Sequence, residues 1–191
     1  MASVSAPAGG GMRGERTRCC RRPRRCLGQG QRAVLLAFTE ELVMKAKVVE
    51  DADVVTYVVV CDPGDEAVAA LAEFARAERL EAAQITGVGG FERATVGWFD
   101  RAAKQFRHIP VDQQCEVLSL VGDVAEGQDG PSLNIHVVLG LPDGTTRGGH
   151  LIDGPVFPTL EAIVTETPAQ LRRVMRPDLG VALIDLDRSE S

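Results

Sequence analysis

Between Pro131 and Thr165 the sequence prescribes a β-hairpin, and this stretch limits the possible folds more than any other. Leu133–Leu139 reads as a strand, and Leu141-Pro142-Asp143-Gly144 is a turn in which proline presets φ and glycine supplies a positive one. A second strand, Thr145–Ile152, must then run back antiparallel to the first. Counted from the tip, His136 and His150 are about equally distant, so they face each other directly or diagonally across the pair. Asn134 precedes His136 by two residues and shares its face. One polar cluster results, made of Asn134, His136 and His150, with Gly148 and Gly149 leaving room beside it.

The rest of the chain repeats this short-strand rhythm with one interruption. Lys45–Val49 and Val54–Cys61 read as strands, the latter a β-branched run suited to the middle of a sheet. A helix is expected from Asp62 to Arg79, with Asp62 as cap, Pro63 in the first helical position, and Asp65 and Glu66 at the positive end of the dipole. Val68, Leu71, Phe74 and Ala75 mark its apolar face. Ala82–Val88 is the next strand, closed by Gly87-Val88-Gly89-Gly90. No Lys-Ser/Thr and no helix follow, which argues against a phosphate loop; Gly87 and Gly89 are better explained by close backbone packing or by lining a ligand pocket. Ala94–Asp100, Gln105–Ile109, Glu116–Gly122, the hairpin and Val156–Glu166 complete the series. Pro168–Arg173 is read as a helical turn and Gly180–Leu186 as a closing strand. Together these predict an α+β domain: a mostly antiparallel β-sheet with one main helix packed on it.

Charge divides the chain in two. Residues 1–43 carry eight arginines against three glutamates, a net of +5, whereas residues 44–191 carry thirteen basic and twenty-four acidic residues, a net of −11. So acidic a domain repels a phosphate backbone, and DNA contact falls more naturally to the arm. Residues 1–43 bury too little apolar surface to offset their ordering entropy and are expected to be disordered. Three readings stay open for them: upstream sequence before a start at Met44, an arm contacting nucleic acid, or a targeting segment. The tract Arg21-Arg22-Pro23-Arg24 lacks the glycine of an AT-hook core. Residues 188–191 are expected to be a tail. No apolar run approaches the roughly 20 residues needed to span a bilayer. Five cysteines, an odd number without metal-ligand spacing, suit reduced thiols and a cytoplasmic setting, with Cys61 and Cys115 buried in strands.

Several motifs in order carry a family resemblance. They are Gln84-Ile85-Thr86-Gly87-Val88-Gly89-Gly90, Gly97-Trp98-Phe99-Asp100, Cys115-Glu116-Val117-Leu118-Ser119-Leu120-Val121-Gly122, Asn134-Ile135-His136, Gly148-Gly149-His150 and Val156-Phe157-Pro158-Thr159-Leu160-Glu161. Over roughly 44–187 the chain resembles the PPC (plants and prokaryotes conserved) domain, which in plants follows AT-hook motifs. The resemblance implies a fold related to acetolactate decarboxylase, a homotrimer, and a DNA-binding, transcription-associated role. It also implies partner contact through the strand bearing Glu116 and Leu118. Members commonly carry His-x-His where this chain has Asn134-x-His136.

That departure leaves three readings of the cluster. His136 and His150 could ligate zinc, with Glu161 the nearest local helper in sequence, but Asn134 is a weak donor and zinc wants three protein ligands. Alternatively Asn134, His136 and His150 hydrogen-bond a small ligand in an enzyme-like pocket with Gly87, Gly89, Gly148 and Gly149. In the third reading the histidines are structural, at a subunit interface. His108 reads as a surface strand residue. Glu116 suits either partner contact or a structural pair with Arg147 or Arg93. No catalytic residue is assigned: Ser119 and Ser132 lie in no nucleophile motif, and no Cys–His pairing has suitable spacing.

Overall fold

The computed structural model describes residues 55–189. The expected strand Lys45–Val49 and the arm 1–43 lie outside them. The element order is β1 (Thr56–Cys61), α1 (Ala67–Glu78), β2 (Ala82–Phe91), β3 (Ala94–Asp100), β4 (Gln105–Val111), β5 (Cys115–Glu126), β6 (Pro131–Gly140), β7 (Thr146–Asp153), β8 (Val156–Glu166), β9 (Arg173–Arg176) and β10 (Val181–Ile184). The fold is α+β, as the pattern predicts. Eight strands form one sheet in the order β1-β8-β2-β5-β6-β7-β3-β4, every pair antiparallel, and β9 and β10 form a separate two-stranded ribbon.

One face of this sheet is the core. Alternation places Ile135, Val137 and Leu139 of β6, Leu120 of β5 and Leu160, Ala162 and Val164 of β8 inward, all buried. Helix α1 covers them with Ala67, Leu71 and Ala75, and Tyr57 packs edge-on against Phe74 at 5.3 Å between ring centroids. The helix packs against β1, β6 and β7, which stand first, fifth and sixth in the sheet, so the sheet curls around it.

The helix starts later than its local sequence suggests. Glu66, not Asp62, is the N-cap, and its carboxylate accepts from the amides of Val68 (3.3 Å) and Ala69 (2.7 Å). The reason is tertiary. The same carboxylate accepts from the Gly154 amide at 3.0 Å, and Gly64, at φ 93°, donates its N–H to the Val156 carbonyl at 2.9 Å. The Asp62–Glu66 segment is thus tied to the start of β8 and cannot wind. Arg79, at φ 56°, ends the helix in the left-handed conformation.

Two further expectations are corrected. β2 does not end at Val88 but runs through the glycines to Phe91. A Cβ on Gly89 would lie 2.3 Å from the Thr159 carbonyl oxygen, so the glycines let β8 approach rather than turn the chain. Residues 168–173 form bends and a bridge from Arg172 to Glu126 instead of a helical turn. The Glu126 amide, bonded to the Leu171 carbonyl at 2.7 Å, holds this segment extended.

Candidate functional site

The outer face of the sheet carries the candidate site, and the strand register shows its layout. Val58 lies opposite Ile163, Ile163 opposite Thr86, and Thr86 opposite Val121. Val121 lies opposite His136, His136 opposite His150, His150 opposite Gly97, and Gly97 opposite His108. Directly opposed residues share a face, so this is one transverse row across all eight strands. All three histidines of the chain belong to it. The hairpin expectation is met exactly at its centre: His136 and His150 are partners, with ring centroids 5.2 Å apart and planes at 75°. The turn forms as read, with Gly144 at φ 80°.

His150 is held from its other side by Phe106, stacked on it at 4.7 Å and 19°. Gly97, between His150 and His108, makes this stack possible, because a Cβ there would meet Phe106 at 2.9 Å. Burial, then the positive charges of His136 and Arg173, push the His150 pKa below its ordinary 6.5, so the imidazole is neutral at neutral pH. Its Nδ1 is buried and meets no hydrogen-bond partner among the described residues.

Asn134 is differently engaged. Its amide nitrogen donates to an Asp123 carboxylate oxygen at 3.3 Å, across β5 and β6. Asp123 is also ion-paired to Arg173, which reaches from β9 and donates to the Ser132 carbonyl at 2.8 Å. The Arg173 side chain is 6% exposed and that of Asp123 33%. Sequence reading missed Phe106, Asp123 and Arg173. Only the alternation of β4 and β5 signalled the first two, and Arg173 is 50 residues from its partner.

The remaining predicted residues separate into two neighbourhoods. A hollow of about 280 Å³ is lined by Ser119, Val121, His136, Val137, Val138, Gly148 and Gly149. A second, of about 400 Å³, includes Gly87, Val88, Leu118, Val121, Glu161 and Ile163 in its lining. Gly89 lines neither. Glu161 stands on β8, three strands from His136 on β6, about 14 Å at ordinary strand spacing, so it cannot complete a ligand set within one chain. Leu118 protrudes where the β5 register shifts, and Glu116, exposed beside it, lies opposite Gly140. The two arginines proposed for Glu116 are turned elsewhere, Arg93 to Glu92 at 3.9 Å and Arg147 to the Thr146 carbonyl at 3.3 Å.

Zinc is the metal the histidines would suit, and the donor set falls short of it. Two imidazoles are available, while Asn134 is turned to Asp123 and Asp123 to Arg173. Among the described residues no group of three or more His, Cys, Asp or Glu is placed to hold a metal ion.

A curled antiparallel sheet around one helix, with its histidines in a single row on the open face, defines the class of protein. The chain belongs to the Plants and Prokaryotes Conserved (PCC) domain family, which matches residues 49–168. A plant- and prokaryote-conserved (PPC) protein of Pyrococcus horikoshii is 29% identical, with a TM-score of 0.68 covering 74% of this chain and 97% of that one. The metal-containing protein AF0104 of Archaeoglobus fulgidus is 28% identical, with a TM-score of 0.68 covering 74% and 99%. A "putative DNA binding protein" of Bacteroides thetaiotaomicron is 25% identical, with a TM-score of 0.67 covering 70% and 93%. The bifunctional protein GlmU of Synechococcus sp. (strain JA-3-3Ab) is 29% identical over 125 residues, 65% of this chain. The chain spans 19% of that relative's length. Among the described residues no helix is long and apolar enough to cross a membrane.

Proposed function

We propose that the protein is a homotrimeric, DNA-associated protein whose folded domain assembles through its open sheet face and whose arginine-rich arm contacts DNA. The observation carrying this reading is that face. Val58 is 73% exposed, and Val60, Val88, Leu118, Val121, Val138 and Ile163 are exposed around it on neighbouring strands. An apolar surface running across the sheet from β1 to β6 is one that water disfavours and a second copy covers. The DNA part draws support from the naming of the Bacteroides thetaiotaomicron protein. Charge assigns it to residues 1–43, at a net of +5, since residues 44–191 carry −11.

The full chain and a deletion of residues 1–43 test both parts. Light scattering should give three chains per particle, and Val121→Glu should split them. Retention on duplex DNA should fall with salt at a log–log slope of about −4 to −5, as for about five neutralised phosphates, and vanish in the deletion. A monomeric full chain, or retention indifferent to the deletion, refutes the corresponding half.

A second reading has its own observation: the 280 Å³ hollow is lined by His136, whose cross-strand partner His150 has a buried Nδ1 that meets no hydrogen-bond partner among the described residues, and it suits a small polar ligand. Ligand-dependent movement of the His136 imidazole signal, absent in Val138→Glu, would mark it.

A further inference from the structure

We propose that the exposed indole of Trp98, flanked by Arg107 and Arg147, binds a nucleotide unit, free or in a single strand, on the opposite face of the sheet from the histidine row. Alternation puts Ala94, Val96 and Trp98 of β3 on the core face; the first two are buried, whereas Trp98 is 52% exposed. Arg107 lies directly opposite Trp98 on β4, the last strand of the sheet, with its guanidinium over the indole, 5.0 Å from the ring centroid. The other flank is β7. Gly97 lies opposite His150 there, so the same register puts Gly149 beside Trp98. A Cβ on Gly149 would lie 2.6 Å from the Gly97 carbonyl oxygen, so no side chain can occupy that position next to the indole. Arg147, two residues from Gly149 and exposed, stands on the same face.

The charges give this corner a purpose. Arg93, Arg172, Arg173 and Arg176 each pair with a carboxylate, whereas Arg107 and Arg147 pair with none among the described residues. They stay unpaired although residues 44–191 carry a net of −11. Two carboxylates close by in sequence are engaged with their own turns. Asp100 accepts from the amides of Ala102 and Ala103 at 2.9 and 3.0 Å, and Asp143 from the amide and hydroxyl of Thr145 at 2.9 and 2.7 Å. An exposed aromatic face takes a base by stacking, whatever its identity, and guanidinium forks match phosphate. The site lies on the core side of the sheet, so assembly through the open face leaves it accessible, and it requires nothing of the arm.

Trp98 is the chain's sole tryptophan, so its fluorescence reports this site and no other. The full chain is titrated with thymidine monophosphate, with a short oligothymidylate and with a duplex of the same length, each corrected for absorbance with free N-acetyltryptophanamide. The monophosphate or the single strand should quench saturably, and the duplex should not, because its bases are already stacked. Equal quenching per nucleotide by the first two marks a free nucleotide as the ligand; tighter quenching by the strand marks single-stranded nucleic acid. The double variant Arg107→Gln/Arg147→Gln should weaken the quenching midpoint at least about tenfold, since bonds between charged groups are the stronger kind. Absence of saturable quenching of the wild-type chain by either single-stranded probe overturns the proposal, whatever the variant does. Equal quenching by the duplex, which the arm alone could produce, also overturns it, as does equal quenching by inorganic phosphate. A folded double variant that is quenched as readily as wild type does the same.

Discussion

Asp123→Ala would remove the acceptor that holds both Arg173 and Asn134, and the structure sets the size of the effect. Breaking a buried ion pair from one side costs about 3–5 kcal/mol, since the remaining charge stays desolvated. Here the Arg173 side chain is 6% exposed, so it is left in place without its counter-charge. Two features soften the loss. Asp123 is itself 33% exposed, so its own desolvation was incomplete, and Arg173 keeps its 2.8 Å bond to the Ser132 carbonyl. About 2–3 kcal/mol should remain. Urea unfolding at fixed protein concentration would measure it, and the full cycle with Arg173→Met would isolate the pairing. The double variant should be more stable than the sum of the single losses by at least about 1 kcal/mol, because no unpaired charge is left. A loss below about 1 kcal/mol for Asp123→Ala, or strict additivity, would refute the view that this pair ties the β9–β10 ribbon to the sheet.

Stability should also fall in mild acid through His150. Its folded pKa lies below the ordinary 6.5, so between the two values the unfolded chain binds more protons, and the contribution present above 6.5 is lost as pH drops. Melting temperatures between about pH 8 and pH 5 should slope more steeply in the wild type than in His150→Phe, which keeps a ring on Phe106; equal slopes would dismiss the effect. At the helix start, Glu66→Ala should cost about 1–2 kcal/mol and Asp62→Ala within about 0.5 kcal/mol, measured by thermal unfolding. The reverse ranking would restore Asp62 as the cap.

Legibility followed the range of the forces involved. β3 and β8 have the bounds their sequences suggest, Ala94–Asp100 and Val156–Glu166, because alternation and turn residues are local signals. The His136–His150 pairing was legible for the same reason: one tight turn fixes the register on both sides. The helix start was misread because Asp62-Pro63 is a good local cap, and what overrules it is the bond from the Gly154 amide to Glu66, 88 residues apart. The glycines of β2 imitate a turn, and only the backbone of Thr159 and Leu160 explains them. Arg173 had no signal at all. An arginine in the Arg172-Arg173 pair says nothing about a carboxylate 50 residues upstream.

The pairing of β1 with β8 has a consequence for how the chain is made. Thr56 meets Thr165, 109 residues later, so β1 is synthesised long before its one sheet neighbour among the described residues. At typical elongation rates of about 5–20 residues per second, β1 waits about 5–20 s on the ribosome for β8. β2 also waits for β8 on one side, while β5, β6 and β7 can zip up in sequence as they emerge. Assembly therefore runs from the middle of the chain outward, and the nascent protein's vulnerable interval ends only when the last long strand is released.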